Sequence, residues 1–164
     1  MPEPELRSID SLQRAYPTFI NGTTRQVDIV WINFAGQPVV YYTMKPHQTF
    51  RVTTYVTHPW LFVDANNRDR LLGRRQYIYM PEAPKSVPIK RHTVLITVPI
   101  FPLLTRALQV IRDRLGPDVH KLCGDTKKLP EPIEELCLPQ TLKVKLVKFI
   151  RAGQELKIET DSLL

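Results

Sequence analysis

Between Phe19 and Pro99 the chain is built of runs too short for helices, with apolar residues recurring at every second position. The runs are TFIN (18–21), VDIVWINF (27–34), VVYYT (39–43), TFRVTTYVT (49–57), WLFVDA (60–65), QYIYM (76–80) and HTVLITV (92–98). Turn signals punctuate them at Asn21-Gly22, Ala35-Gly36, Lys45-Pro46, Asn66-Asn67 and Pro84-Lys85. Fifteen prolines against six glycines harden these breaks, because proline fixes φ and offers no N–H to a ladder. Seven strands with no helical stretch between them must bury their apolar faces on each other. The expectation is a seven-stranded β-sandwich over residues 18–99, after an N-terminal segment 1–17. Asn21-Gly22-Thr23 matches the glycosylation acceptor pattern, but an Asn-Gly turn between strands accounts for it more simply.

After Pro99 the period becomes helical. In PLLTRALQVIRDRL (102–115), Leu103, Ala107 and Ile111 share one face, and Leu104, Leu108 and Leu115 share the neighbouring stripe. Pro102 suits a first turn, and Gly116-Pro117 ends the helix. Two apolar stripes imply two partners, one within the chain and one outside it. A second helical piece is expected near Asp118–Gly124, with Pro130 and Pro132 as breaks after it. LPQTLKVKLVKFI (138–150) then reads as a helix opened by Pro139, with Leu142, Leu146, Phe149 and Ile150 as its stripe. Three short helices bury little surface, so this α domain, residues 100–152, is expected to lean on a partner. The tail 153–164 has no strong pattern and is expected to fray. The class is therefore α+β.

The net charge of +7 invites nucleic acid or an acidic protein as partner. Lys and Arg are dispersed rather than gathered in a tail, which argues against nucleic acid. Arg68, Arg70, Arg74 and Arg75 make one basic run, read as a solvated loop or a contact for an acidic partner. Two cysteines in 164 residues, Cys123 and Cys137, favour a reducing compartment. With His120 they offer three zinc ligands where a structural site needs four, so no metal is expected. No apolar run reaches membrane-spanning length, and the acidic start MPEPELRSIDS is not a signal peptide.

Five ring side chains crowd one stretch of the β half: Trp31, Tyr41, Tyr55, His58 and Trp60. Indoles are costly to expose and hard to bury whole, so they could simply be sandwich core. Gathered on one sheet face with a few polar tips, they could also hold something small and partly apolar. His58 has no Ser or Cys partner at recognisable spacing, and the carboxylates form no suggestive pair. The residues point to a reader rather than an enzyme, with no cofactor. The competing reading is a basic β-sandwich module for nucleic acid or an acidic protein.

LRSIDS, VWINFAGQPVVYYT, THPWLFVDA and LLTRALQVIRDRL, in this β-then-α order, resemble the von Hippel–Lindau protein family. The resemblance runs from about Leu6 to Ile150, and the chain reads as a divergent homologue or a reconstructed sequence. It implies a substrate receptor of a cullin–RING ubiquitin ligase, cytoplasmic and nuclear, that binds prolyl-hydroxylated hypoxia-inducible factor α for proteasomal degradation. Carried over by position, the hydroxyproline pocket is Trp31, Tyr41, Thr54, Tyr55, His58 and Trp60. Asn33, Phe34, Val52 and Thr53 border the peptide groove. Thr54 stands where the family has serine, Thr53 where it has histidine, Tyr42 where it has proline and Phe50 where it has arginine. Hydroxyl discrimination is strong where buried donors and acceptors go unpaired without the hydroxyl, about 1–3 kcal/mol per group, and Thr54 and His58 suit that task.

The helical half resembles an elongin- and cullin-binding box. Elongin C, with elongin B, would meet Leu103, Arg106, Ala107, Leu108, Val110 and Ile111, with Ala107 in place of the usual cysteine. Cullin-2, with its RING protein, would meet Leu138, Pro139, Leu142 and Leu146. The cullin-5 form of this motif has a further proline where Cys137 stands.

Overall fold

The computed structural model of the chain describes residues 6–116, 118–119, 123 and 129–154. Residues up to Pro99 cluster as one compact unit and those from Ile100 onward as a second.

The first unit is all β. Strands β1 (Arg14–Ala15), β2 (Pro17–Asn21), β3 (Val27–Ile32), β4 (Pro38–Met44), β5 (Thr49–Arg51), β6 (Thr54–Tyr55), β7 (Trp60–Asp64), β8 (Arg70–Gly73) and β9 (His92–Thr97) follow in chain order. Seven make one nearly closed sheet in the order β4-β3-β7-β8-β9-β2-β5, and β1 pairs with β6 separately. The β2–β9 pairing is parallel and the others in the sheet are antiparallel. Side chains bridge the edge strands β4 and β5: Tyr42 stacks on Phe50 at 4.3 Å and 6°. Gln48 donates to the Tyr42 hydroxyl at 2.7 Å. Phe19, Ile29, Met44, Trp60, Phe62, Leu71 and Ile96 are among the core of this unit.

The α+β class and the seven-stranded sheet agree with the sequence, but one strand does not fall where periodicity puts it. QYIYM (76–80) makes only two isolated bridges, Gly73 with Gln76 and Trp60 with Tyr79. On the side away from β3, β7 pairs with β8, inside the basic run read as a loop. Gly73 permits this, because a Cβ there would lie 2.1 Å from Phe62 Cε2. TFRVTTYVT also divides: Val52 N–H bonds to Pro17 O at 3.3 Å, ending β5, and the chain resumes as β6 against β1.

Asn21 is buried, with both amide hydrogens engaged, by Arg25 O at 2.8 Å and Lys45 O at 2.9 Å. Its Oδ1 accepts from the Thr23 N–H and hydroxyl. The acceptor-like triplet is thus an internal tie that pins the β2–β3 turn to the end of β4.

The second unit holds α1 (Leu103–Leu115), α2 (Glu131–Glu134) and α3 (Gln140–Gln154). Leu108, Val119, Cys123, Ile133, Leu146, Val147 and Ile150 form its core, with Ile111, Leu115, Leu136 and Phe149 packed against them. The inward face of α1 is therefore Leu108, Ile111 and Leu115, while Leu103, Leu104 and Val110 stay exposed. The expected stripes are mixed, because the boundary of a buried face depends on where the neighbouring helix lies. Pro130 and Pro132 open a helical turn instead of breaking one, a position where the missing N–H costs nothing. The piece expected at Asp118–Gly124 lies mostly outside the described residues, as do His120 and the tail from 155 on.

Candidate functional site

The ring residues are placed by sheet register. Trp31 on β3 is directly opposite Trp60 on β7, so both indoles project from one face. Trp60 sinks into the core at 2% exposure, and Trp31 remains half-buried. The β3–β4 ladder shifts there: Ile29 opposes Tyr42 and Val30 opposes Val40, leaving Tyr41 as the extra residue of a β-bulge. Bulges re-aim a side chain. Tyr42 packs against the core, while Tyr41, 53% exposed, stands edge-on to Trp60 with centroids 5.3 Å apart at 82°.

Thr54 is buried, opposite Ala15 in the β1–β6 pair. Its hydroxyl oxygen accepts the Trp60 indole N–H at 3.2 Å. A threonine hydroxyl holding one such bond keeps its own proton to donate and a second lone pair.

His58 gathers the other rings. Its centroid is 5.1 Å from Tyr55, 5.3 Å from Trp31 and 5.4 Å from Phe34. Burial pushes its pKa below the ordinary 6.5, and a backbone hydrogen bond with Asp10 and that residue's charge oppose this. The imidazole is neutral at pH 7, with one nitrogen to donate and one to accept. Two clusters result, Tyr41–Trp60–Thr54 and Trp31–His58–Tyr55–Phe34, joined by the Trp31–Trp60 cross-strand pair.

Sequence reasoning missed the strap that holds the second cluster. Ser8 is buried, accepts the Trp31 indole N–H at 2.8 Å and donates to Ile32 O at 2.6 Å. Asp10 and Thr57 exchange hydrogen bonds, Asp10 N–H to the hydroxyl at 3.1 Å and the hydroxyl to Asp10 O at 2.8 Å. Ser11 Oγ lies 3.4 Å from His58 Nε2. The segment LRSIDS carries no strand or helix period, so its residues gave no local signal of this role. A cavity of about 840 Å³ opens beside this strap, lined in part by Leu6, Ile9, Val56, Pro59 and Met80; none of the six pocket residues lines it.

Along the expected groove the residues divide. Phe34 and Thr53 are exposed. Asn33 engages its side-chain oxygen with the Ala35 and Gln37 N–H groups, shaping the β3–β4 turn. The Val52 side chain belongs to the core, which leaves only its backbone for the expected groove; its carbonyl accepts from Arg91 at 3.1 Å.

The basic run is mostly engaged internally. Arg68 takes a left-handed φ of 62° and closes an ion pair of 2.6 Å on Asp28. Arg74 pairs with Glu82 at 2.7 Å. Arg70 donates to Tyr77 O, and burial works against its charge. That corrects its reading as a solvated loop.

In the helical unit Leu103, Arg106, Ala107 and Val110 are exposed to differing degrees, Leu108 is buried and Ile111 packs on the core. Pro139 is exposed, Leu138 and Leu142 are half-buried, and Leu146 is fully buried. Leu108 and Leu146 therefore shape these surfaces from within. Among the described residues no three His, Cys, Asp or Glu side chains gather as metal ligands.

The family model described as the VHL beta domain matches residues 6–86, which span the strap, both ring clusters and β8. A relative from Drosophila melanogaster, Protein Vhl, is 31% identical over 144 residues, covering 82% of this chain and 77% of the relative. The match reaches beyond the β unit into the helical one, and on that identity over that length the chain belongs to the VHL family.

Proposed function

We propose that this chain is a non-catalytic substrate-recognition subunit of a cullin–RING ubiquitin ligase. In this reading it binds prolyl-hydroxylated hypoxia-inducible factor α and directs it to ubiquitination and degradation in oxygen sensing, in cytoplasm and nucleus. Membership of the VHL family supports the coarse role of substrate recognition in a ubiquitin ligase. The observation that carries the finer role is two neighbouring ring clusters, each with a buried polar group: a neutral His58 among Trp31 and Tyr55, and a Thr54 hydroxyl accepting from Trp60 beside Tyr41. The rings wall a pyrrolidine, and the two polar groups take its hydroxyl as both donor and acceptor. Without that hydroxyl both would be desolvated and unpaired, which supplies the discrimination. Asn33, Phe34, Thr53 and the Val52 backbone flank the bound peptide.

Elongin C, with elongin B, docks on the exposed Leu103, Arg106, Ala107 and Val110, with Leu108 and Ile111 backing them. Cullin-2 docks on Leu138, Pro139 and Leu142, held out by Leu146. The test is a pair of labelled peptides differing only by a 4-hydroxyl on one proline. The hydroxylated one binds far more tightly, and His58→Ala removes the preference. Equal binding of both peptides by the unmodified protein would sink the reading.

A further inference from the structure

Outside the ring cage, the arginines of the β unit differ in whether a carboxylate meets them. Arg25, Arg68 and Arg74 each close on a carboxylate, Asp64, Asp28 and Glu82 respectively. Arg14, Arg51 and Arg91 are exposed and, among the described residues, none is paired with a carboxylate.

Arg14 and Arg91 lie along the border of the cage, and Arg51 is next to that border in sequence. Arg14 is directly opposite Tyr55 in the β1–β6 ladder, on the same face, and Tyr55 is the ring 5.1 Å from His58. Tyr55 and Tyr16 beside it favour the charged form of Arg14. Arg91 lies 5.7 Å above the Tyr16 ring and donates to Val52 O. Arg51 immediately precedes Val52, at the end of β5. Neighbouring groups thus run from His58 through Tyr55, Arg14 and Tyr16 to Arg91 and the Val52 carbonyl.

Guanidinium groups held on tyrosines are ordered without being neutralised. Arg91 is held that way, Arg14 faces Tyr55 across the ladder, and among the described residues no carboxylate pairs with either. We propose that Arg14, Arg91 and Arg51 form a cationic strip, continuous with the cage, that receives acidic residues of the same polypeptide whose modified proline the cage holds. The inference rests on the hydroxyproline reading of the cage. It moves the acidic-partner contact from the Arg68–Arg75 run, where Arg68 and Arg74 already pair with carboxylates, to the cage border, where among the described residues none of the three does.

The strip sets which hydroxylated segments bind well and how fast they arrive, since exposed charges act on association and on salt dependence. The probes are hydroxyproline peptides carrying a triglutamate stepped along either flank, each matched with a triglutamine version, titrated against the full chain. At one flank and spacing, the glutamate peptide binds roughly 5- to 10-fold more tightly at low salt, the scale expected of two or three exposed ion pairs. High salt erases the gain. Arg14→Gln and Arg91→Gln reduce it and leave the glutamine peptide unchanged. Should Arg91→Gln disturb the groove through its lost bond to Val52, Arg14→Glu serves instead, and reverses the preference toward a trilysine peptide.

A hydroxyl preference with no glutamate gain at any spacing overturns the strip and leaves the cage standing. A glutamate gain that depends on Arg14 without any hydroxyl preference removes the cage reading, and with it this inference. Displacement of the peptide by an oligonucleotide, dependent on Arg14, would assign the strip to nucleic acid and also overturn it.

Discussion

The Trp60 indole donates its N–H to the Thr54 hydroxyl oxygen across 3.2 Å, within the buried floor of the ring cage. The bond satisfies the one polar group of Trp60 and turns the Thr54 proton toward whatever else is near. Thr54→Val keeps the side-chain shape but leaves the indole N–H unpaired, costing about 1–3 kcal/mol of stability. It also lowers the preference for a hydroxylated peptide about 10- to 100-fold. Thr54→Ser keeps both. Urea midpoints and paired peptide titrations separate the two effects.

His58 gives a pH dependence of defined sign. Its folded pKa is depressed below 6.5 by burial, so the unfolded chain takes up a proton before the native one does. Stability contributed by the neutral ring is complete above 6.5 and is lost as pH falls below that value toward the folded pKa. Peptide preference takes the same course, flat above 6.5 and declining below it, because an imidazolium has no acceptor. His58→Gln, which does not titrate, flattens the stability profile in that window.

Tyr79 is 2% exposed, and its hydroxyl has no partner among the described residues. Burial pushes its pKa up to about 12 from 10.0. The native state keeps this proton while the unfolded state sheds it, so stability is lost as pH rises from 10 toward 12. Tyr79→Phe removes an unsatisfied buried group and raises stability by about 1 kcal/mol at neutral pH. It also makes the alkaline decline shallower. A denaturation series at neutral and alkaline pH checks both.

Two leucines from the proposed partner motifs behave in opposite ways. Leu103 is 87% exposed, so Leu103→Asp leaves the chain's own stability within about 0.5 kcal/mol while abolishing co-purification with elongins B and C. Leu146 is fully buried, so Leu146→Ala costs about 2–5 kcal/mol by opening a cavity in the helical core. Thermal melts with pull-downs of the same variants discriminate surface from core.

The periodicity of the chain determined much of this protein by itself. At Val27–Ile32 period two puts Val27, Ile29 and Trp31 on one face, and at Trp60–Asp64 a short, wholly buried apolar run is again a strand. The change of period at Pro99 dictates the α+β class. The crowding of rings in one stretch was legible too, but not which of them are core: Trp60 is 2% exposed while Trp31 is half-buried. Tertiary structure decided the rest. The bulge that frees Tyr41 depends on a register shift against Ile29 and Val30, distant in sequence. The Ser8–Trp31 and Ser11–His58 contacts close over gaps of 23 and 47 residues, which no local pattern encodes. Which arginines lack a carboxylate is likewise a matter of which acidic groups the fold brings near. A strand's period is set by its own backbone geometry, but register, burial and charge pairing are set by the neighbours that arrive.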